Sequence, residues 1–363
     1  MHILHVVGAR PNFMKAAPVL RALSVYPKVR QTLVHTGQHY DAAMSDVFFR
    51  QLEMPAPDCN LEVGSGTHAQ QTAAVMQAFE PALLDRKPDL VLVYGDVNST
   101  VAAALVCSKL GVRVGHVEAG LRSGDRTMPE EINRRLTDQL SDLLFTPSED
   151  GNENLAREGI DRSKIYLVGN VMIDTLVRLL PKAEKSLPSS VEPPYALVTL
   201  HRPSNVDDLD WLRELLTTLA DLSARLKIIF PVHPRTRQRL ESLGDMPTRE
   251  SNSQLCLLDP QPYLEFLALQ RHATLVITDS GGIQEETTFL GVPCLTVRDN
   301  TERPITLTRG TNRLVGRDLK RLRNTAEEIL GVGPKTKQTL VPLWDGQAAQ
   351  RIAQIIVRGS TND

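Results

Sequence analysis

LVLVYGDVNST, residues 90–100, reads as a strand, a sharp turn and the start of a helix. Leu90–Tyr94 is apolar on both faces, and so is LVIT at 275–278. Strands of that kind lie in parallel sheets whose two faces are covered by helices. Outward from this stretch the pattern repeats. Strand candidates are Ile3–Val7, Val29–His35, Val112–Val117, Leu143–Thr146 and Ile165–Val168. Between them lie amphipathic runs at Lys15–Ser24, Thr67–Leu84, Thr100–Leu110 and Glu130–Ser141. Short strands alternating with helices predict βαβ units. After KSLPSSVEPP at 185–194 the cycle restarts, with strands at Ala196–Leu200, Ile228–Val232, Leu255–Leu258, Leu275–Thr278 and Cys294–Val297. The expected fold is α/β, with two doubly wound Rossmann-like domains over 1–170 and 171–345 and a cleft between them. The segment 346–363, helical in period over Gly346–Val357, could pack back on either domain, the first included.

Bulk properties agree with a two-domain globular chain. It has 363 residues, 41% apolar and 23% charged, and a net charge of -2. No basic stripe points to nucleic acid; Lys320, Arg321 and Arg323 form only a short solvated run. Cys59, Cys107, Cys256 and Cys294 are far apart, without C-x-x-C, and are expected to be buried, reduced thiols. No stretch approaches the roughly 20 apolar residues of a membrane span. MHILHVV lacks the marks of a signal peptide, so a cytoplasmic protein is expected.

Ligands of doubly wound sheets bind beyond the carboxyl ends of the strands, and the polar oddities of the sequence fall there. GARPNFMK, 8–15, follows the first strand. Arg10 is expected in the loop and Lys15 in the first helical turn, where a cation opposes the helix dipole and suggests an anionic ligand. The string is neither G-x-G-x-x-G nor G-x-x-x-x-G-K-[ST], which excludes the usual dinucleotide and Walker readings. TDSGGIQEE, 278–286, offers the backbone N–H groups of Ser280, Gly281 and Gly282 at a helix start, a site suited to a diphosphate. Glu285 or Glu286 could accept from ribose hydroxyls, or both could simply favour the helix start.

Acids gather at the ends of the first-domain strands: Asp96 in VYGDVNST, Glu118 in GHVEAGLRSGD, Glu130 and Glu131 in TMPEEINRR. Asp96 and Glu118 end strands expected to be neighbours, and carboxylates brought together suit acid/base work. Each alone could equally cap a helix. VTLHRPSNVD and PVHPRTR end two second-domain strands with His201, Arg202, His233 and Arg235. No metal-type histidine spacing is present.

These strings together resemble the non-hydrolysing UDP-N-acetylglucosamine 2-epimerases over nearly the whole chain. GHVEAGLRSGD, TDSGGIQEE and RDNTERP at 298–304 carry the resemblance most specifically. It implies the GT-B build shared with many glycosyltransferases, with UDP mostly on the second domain. It implies catalytic roles for Asp96, Glu118, Glu130 and His201, and places Arg10 and Lys15 near the diphosphate and sugar. It implies a phosphate loop of Ser280, Gly281 and Gly282, a ribose contact at Glu286, a uracil pocket with Gln261 and Phe266 from DPQPYLEF, and a substrate contact at Arg303. Family members are cytosolic dimers that use no cofactor, neither metal nor nicotinamide. Some bind a second UDP-GlcNAc as activator, at positions matching Gln38, Arg202 and His233, with Asp41 where Gln or Glu is usual.

The family reaction inverts C2 by elimination of UDP to a 2-acetamidoglucal and re-addition. Asn12 stands where the family usually has an acid, HRPSN where it has HRREN, and Met128-Pro129 where it has Trp-Pro. These departures leave a related UDP-2,3-diacetamido sugar open as substrate. A GT-B glycosyltransferase and a non-catalytic nucleotide-sugar sensor are the other readings.

Overall fold

The computed structural model describes residues 1–38, 49–243, 254–332 and 341–359. The chain divides into two compact units. The first runs from Met1 to Thr175 and takes in the chain's end from Pro342 onward; the second is Leu176–Val341. The division falls inside the helix Val171–Ala183, five residues beyond the expected boundary at 170; a helix that runs through the division gives no pattern break there.

The first unit holds a seven-stranded sheet in the order β3-β2-β1-β4-β5-β6-β7. Its strands are β1 His2–Val7, β2 Arg30–His35, β3 Cys59–Asn60, β4 Leu90–Tyr94, β5 Val114–Val117, β6 Leu143–Thr146 and β7 Ile165–Leu167. The second holds six strands in the order β10-β9-β8-β11-β12-β13: β8 Tyr195–Thr199, β9 Lys227–Pro231, β10 Leu255–Leu258, β11 Leu275–Thr278, β12 Cys294–Thr296 and β13 Asn312–Leu314. Every pairing is parallel. β4 is buried at all five residues and β11 at all four, the burial expected for strands covered on both faces.

The strand order reverses between β1 and β4 in the first sheet and between β8 and β11 in the second. Such a switch point opens a crevice at the carboxyl ends. The turn that leaves β1 leads into the helix that Arg10 opens, and the loop that leaves β4 carries Asp96; those that leave β8 and β11 carry His201 and Ser280.

Helix ends follow local chemistry. Thr67 caps the helix His68–Arg86 by accepting the N–H of Gln70 at 3.3 Å. Gly111 and Gly291 end their helices in the left-handed region. The C-terminal helix Ala348–Gly359 packs on Arg10–Ser24. Asp174 caps it, accepting the N–H of Ala348 at 3.1 Å and of Ala349 at 2.7 Å. Trp344 Nε1 donates to the Pro147 carbonyl at 2.9 Å. Of the four free cysteines only Cys107 and Cys294 are buried; Cys59 and Cys256 are partly exposed, on the short outer strands β3 and β10. No helix among the described residues is long and apolar enough to cross a membrane.

Candidate active site

In the first unit, Gly95 turns the chain with φ +63 and presents Asp96 beyond β4. Arg134 donates through Nε and Nη2 to Asp96 Oδ2, at 2.9 and 2.6 Å. The third nitrogen of the same guanidinium, Nη1, holds Glu131 Oε2 at 3.0 Å. Two adjacent acids therefore part company. Glu131 is fully buried and accepts the N–H groups of Ser123 and Gly124 at 2.9 and 3.2 Å. Burial pushes its carboxyl up, but the Ser123 N–H and Arg134 outweigh burial and hold it below the ordinary value. Glu130 instead lines a cavity of about 270 Å³ together with Asp96, Gln38, His68, Asn98 and Asn133.

Glu118 follows β5 with φ +75, a conformation side chains rarely adopt and one that concentrates at functional sites. Its Oε2 is paired with Lys15 Nζ, and both residues are buried. A Cβ on Gly95 would stand 2.5 Å from Lys15 Nζ and 3.1 Å from Glu118 Oε2, so only glycine leaves room for the pair.

The geometry corrects three expectations here. Arg10 is not in a loop; it opens the helix Arg10–Ser24, because Pro11 is preorganised for a first helical turn. Lys15 consequently falls in the second turn, and the anion it meets is Glu118 of the protein itself. Asp96 and Glu118 do end adjacent strands, but each is met by its own cation.

Asn12 is buried. Its Oδ1 accepts the N–H groups of Gly8 and Ala9 at 3.0 and 3.1 Å, and its Nδ2 donates to the Tyr94 carbonyl at 2.7 Å. The amide thus ties the β1 and β4 loops together, a job within the protein. Gln38, assigned by resemblance to an activator pocket, lines the cavity of Asp96 and Glu130; its Oε1 accepts from Ser99 N and Oγ at 3.1 and 2.7 Å. Asp41 lies outside the described residues.

In the second unit the loops of β8 and β11 meet on Asp279, which sequence reasoning passed over. The Asp279 carboxylate accepts the N–H of His201 at 3.1 Å, the N–H of Arg202 at 2.9 Å and Asn205 Nδ2 at 3.0 Å. His201 Nδ1 stands 3.1 Å from Asp279 Oδ1. Burial pushes the Asp279 carboxyl up, but His201 and the Arg202 N–H outweigh it and hold it low. An ionised acceptor at Nδ1 fixes that nitrogen as the donor and leaves Nε2 of His201 as the basic one. The signal was available: Asp279 follows β11, the neighbour of β8. His233 caps the helix Pro234–Ser242 by accepting the Arg235 N–H at 3.3 Å, and its ring lies 6.0 Å from that of His201.

The helix Gly281–Leu290 starts directly after Ser280, which makes no side-chain cap among the described residues. Gly281 and Gly282 are its first two residues. A Cβ on Gly281 would stand 2.5 Å from Arg303 Nη1 and 2.6 Å from Glu302 Oε1. Arg303 is buried, pairs through Nε with Glu285 Oε1 at 2.9 Å and also pairs with Glu302, which Arg298 holds at 2.8 Å. Glu286 is buried too and accepts the Tyr263 hydroxyl at 2.8 Å, so both acids of the string have partners inside the protein. Gln261 Nε2 donates to the Asp259 carbonyl at 2.7 Å, and Phe266 is half-buried on the helix Tyr263–His272. No group of His, Cys, Asp or Glu among the described residues is arranged to hold a metal ion.

Two parallel-sheet units, each with polar loops at its switch point, define a protein of the GT-B-like class. The profile described as UDP-N-acetylglucosamine 2-epimerase matches residues 21–357. A UDP-N-acetylglucosamine 2-epimerase of Methanococcus maripaludis is 42% identical over 360 residues, 97% of each chain. A UDP-2,3-diacetamido-2,3-dideoxy-D-glucuronate 2-epimerase of Pseudomonas aeruginosa is also 42% identical, over 99% of this chain and all of the relative. The structure of Methanocaldococcus jannaschii UDP-GlcNAc 2-epimerase in complex with UDP-GlcNAc and UDP matches with TM-score 0.90 and 43% identity, over 99% of this chain and 100% of that one. This chain belongs to the UDP-N-acetylglucosamine 2-epimerase family, a family of isomerases.

Proposed function

We propose that the protein interconverts UDP-GlcNAc and UDP-ManNAc. The observation that carries this is the placement of the polar groups. Acids sit at the first sheet's switch point; the His201–Asp279 pair and an uncapped helix start sit at the second's. The proton on C2 of the sugar is not beside a carbonyl, so direct abstraction is ruled out for ordinary side chains. Instead the C1–O bond to UDP breaks while C2 loses its proton, leaving UDP and a 2-acetamidoglucal. UDP then adds back as C2 regains a proton on the opposite face.

In this reading the N–H groups at Ser280, Gly281 and Gly282 and the Arg303 guanidinium take the diphosphate and stabilise it as it leaves. Glu286 with Tyr263 serves the ribose, and Gln261 and Phe266 the uracil. Arg10 and Lys15 serve the diphosphate end of the sugar. Asp96, Glu118, Glu130 and His201 are the acid/base groups, drawn on for two faces. The protein acts as a cytoplasmic homodimer without metal or nicotinamide. A second UDP-GlcNAc acting at Gln38, Arg202 and His233, with Asp41, is the activation this reading includes.

The equal identity to the diacetamidoglucuronate enzyme makes that sugar the second reading. In either reading Asp96 and Glu130, which line the cavity, serve as acid/base groups. Incubation with UDP-GlcNAc in D2O should put deuterium at C2 and yield a ManNAc-type nucleotide sugar by NMR. Folded enzyme that leaves this substrate unlabelled, while labelling the diacetamido uronate, would hand the function to the second reading.

A further inference from the structure

His116 is fully buried in β5, and both ring nitrogens face acceptors. Nδ1 lies 2.6 Å from Asp138 Oδ1, and Nε2 lies 2.8 Å from the Gly95 carbonyl. A carbonyl only accepts, so Nε2 carries a hydrogen. Asp138 is likewise an acceptor towards its other neighbours: its Oδ2 takes the Gly120 N–H at 3.2 Å and lies 2.7 Å from Arg122 Nη2. Arg122 in turn is held by Glu158 at 2.9 and 2.7 Å. An acid proton on Asp138 would leave Arg122 facing a neutral partner. Two hydrogens on the ring give Asp138 two cations, His116 and Arg122, with Glu158 answering Arg122.

The set also joins the two acid-bearing loops. Through His116 it grips Gly95, the residue before Asp96; through Gly120 and Arg122 it grips the chain just after Glu118. Asp138 therefore sets how far apart the two loops stand.

We propose that His116 is held as a buried imidazolium by Asp138, and that the pair positions Asp96 and Glu118 for proton transfer at C2. The second half rests on the proposed epimerisation; the first does not. His116 and Asp138 touch no substrate in this account and act through the two loops.

The full-length protein labelled with 15N-histidine tests both halves. At about neutral pH one imidazole, assigned by its loss in His116→Gln, should show two protonated nitrogens. Asp138→Asn keeps the shape and can donate to Nδ1, so the same ring should become neutral, protonated at Nε2 only. In that variant kcat should fall about ten- to a hundredfold, the scale on which loss of an orienting partner is felt. KM should move less than about threefold, since ground-state binding is untouched. A neutral His116 in the unaltered protein overturns the proposal whatever the enzyme turns over. Unchanged kcat in Asp138→Asn, with the ring neutralised, overturns the positioning role. Failure of the epimerase reading itself is read separately, as absence of C2 exchange in the unaltered protein.

Discussion

Nδ1 of His201 stands 3.1 Å from Oδ1 of Asp279, and the same carboxylate accepts the backbone N–H groups of His201 and Arg202. One buried acid thus sets both the ring's tautomer and the place of its loop. Asp279→Asn should lower kcat by about a hundred- to ten-thousandfold, as when the orienting acid behind a catalytic histidine is made an amide. UDP binding, followed by calorimetry, should change by only a few-fold. A variant with full kcat would remove His201 from the acid/base set.

Glu130 and Glu131 should respond in opposite ways. Glu130→Gln is expected to abolish most C2 exchange with little change in melting, because the side chain lines the cavity. Glu131→Gln removes a buried charge that answers Arg134 and should cost about 3–5 kcal/mol. Exchange kinetics and urea unfolding distinguish them, and equal losses of stability would contradict the geometry.

Lys15→Met leaves Glu118 buried without its ammonium. Breaking a buried pair from one side costs about 3–5 kcal/mol, and urea unfolding should register a loss of that order. Gly95→Ala should cost about 1–3 kcal/mol from its positive φ alone and also push the pair apart. A melting temperature unmoved by Lys15→Met would refute the pairing.

Asp174 supplies a pH test. Burial pushes its carboxyl up from 3.8 to about 6, despite the two N–H groups of the C-terminal helix. A group protonated more readily folded than unfolded stabilises the fold below its ordinary value. That contribution is lost as pH rises from about 4 through about 6. The helix Ala348–Gly359 should therefore be held more firmly at pH 5 than at pH 7.5, by about 1–3 kcal/mol at most. Amide exchange of that helix should show this, and Asp174→Asn should flatten the difference. An unaltered pH dependence in the variant would place the titrating group elsewhere.

The strands with both faces buried, LVLVY and LVIT, were legible because nothing else gives short apolar runs between amphipathic ones. β3 and β13 were not; CN and NRL are too short and too polar to stand out as apolar runs. The helix Arg10–Ser24 begins before its periodicity does, since its first turn is set by Pro11 and Asn12. At the site, the loops could be named from strand ends, and Asp96, Glu118 and His201 lie where that rule puts them. Arg134 and Lys15 could not be matched to Asp96 and Glu118, because they come from helices distant in the chain and meet them only in the fold, whereas Asp279 ends the strand beside that of His201. Asn12 shows the converse: an unusual residue in a motif, read as a mark of the sugar, is consumed by backbone contacts to Gly8, Ala9 and Tyr94.

The chain leaves the first unit after Thr175 and rejoins it at Pro342. Asp174, at the exit, clasps Ala348 and Ala349, just past the return. In sequence terms the second unit is a guest that interrupts its host, and both of its seams are stitched to the same spot. A guest from a relative could be exchanged at those two seams, leaving the host's acids in their own framework. Asp96, Glu118 and Glu130 belong to the host, whereas His201 and Asp279 travel with the guest.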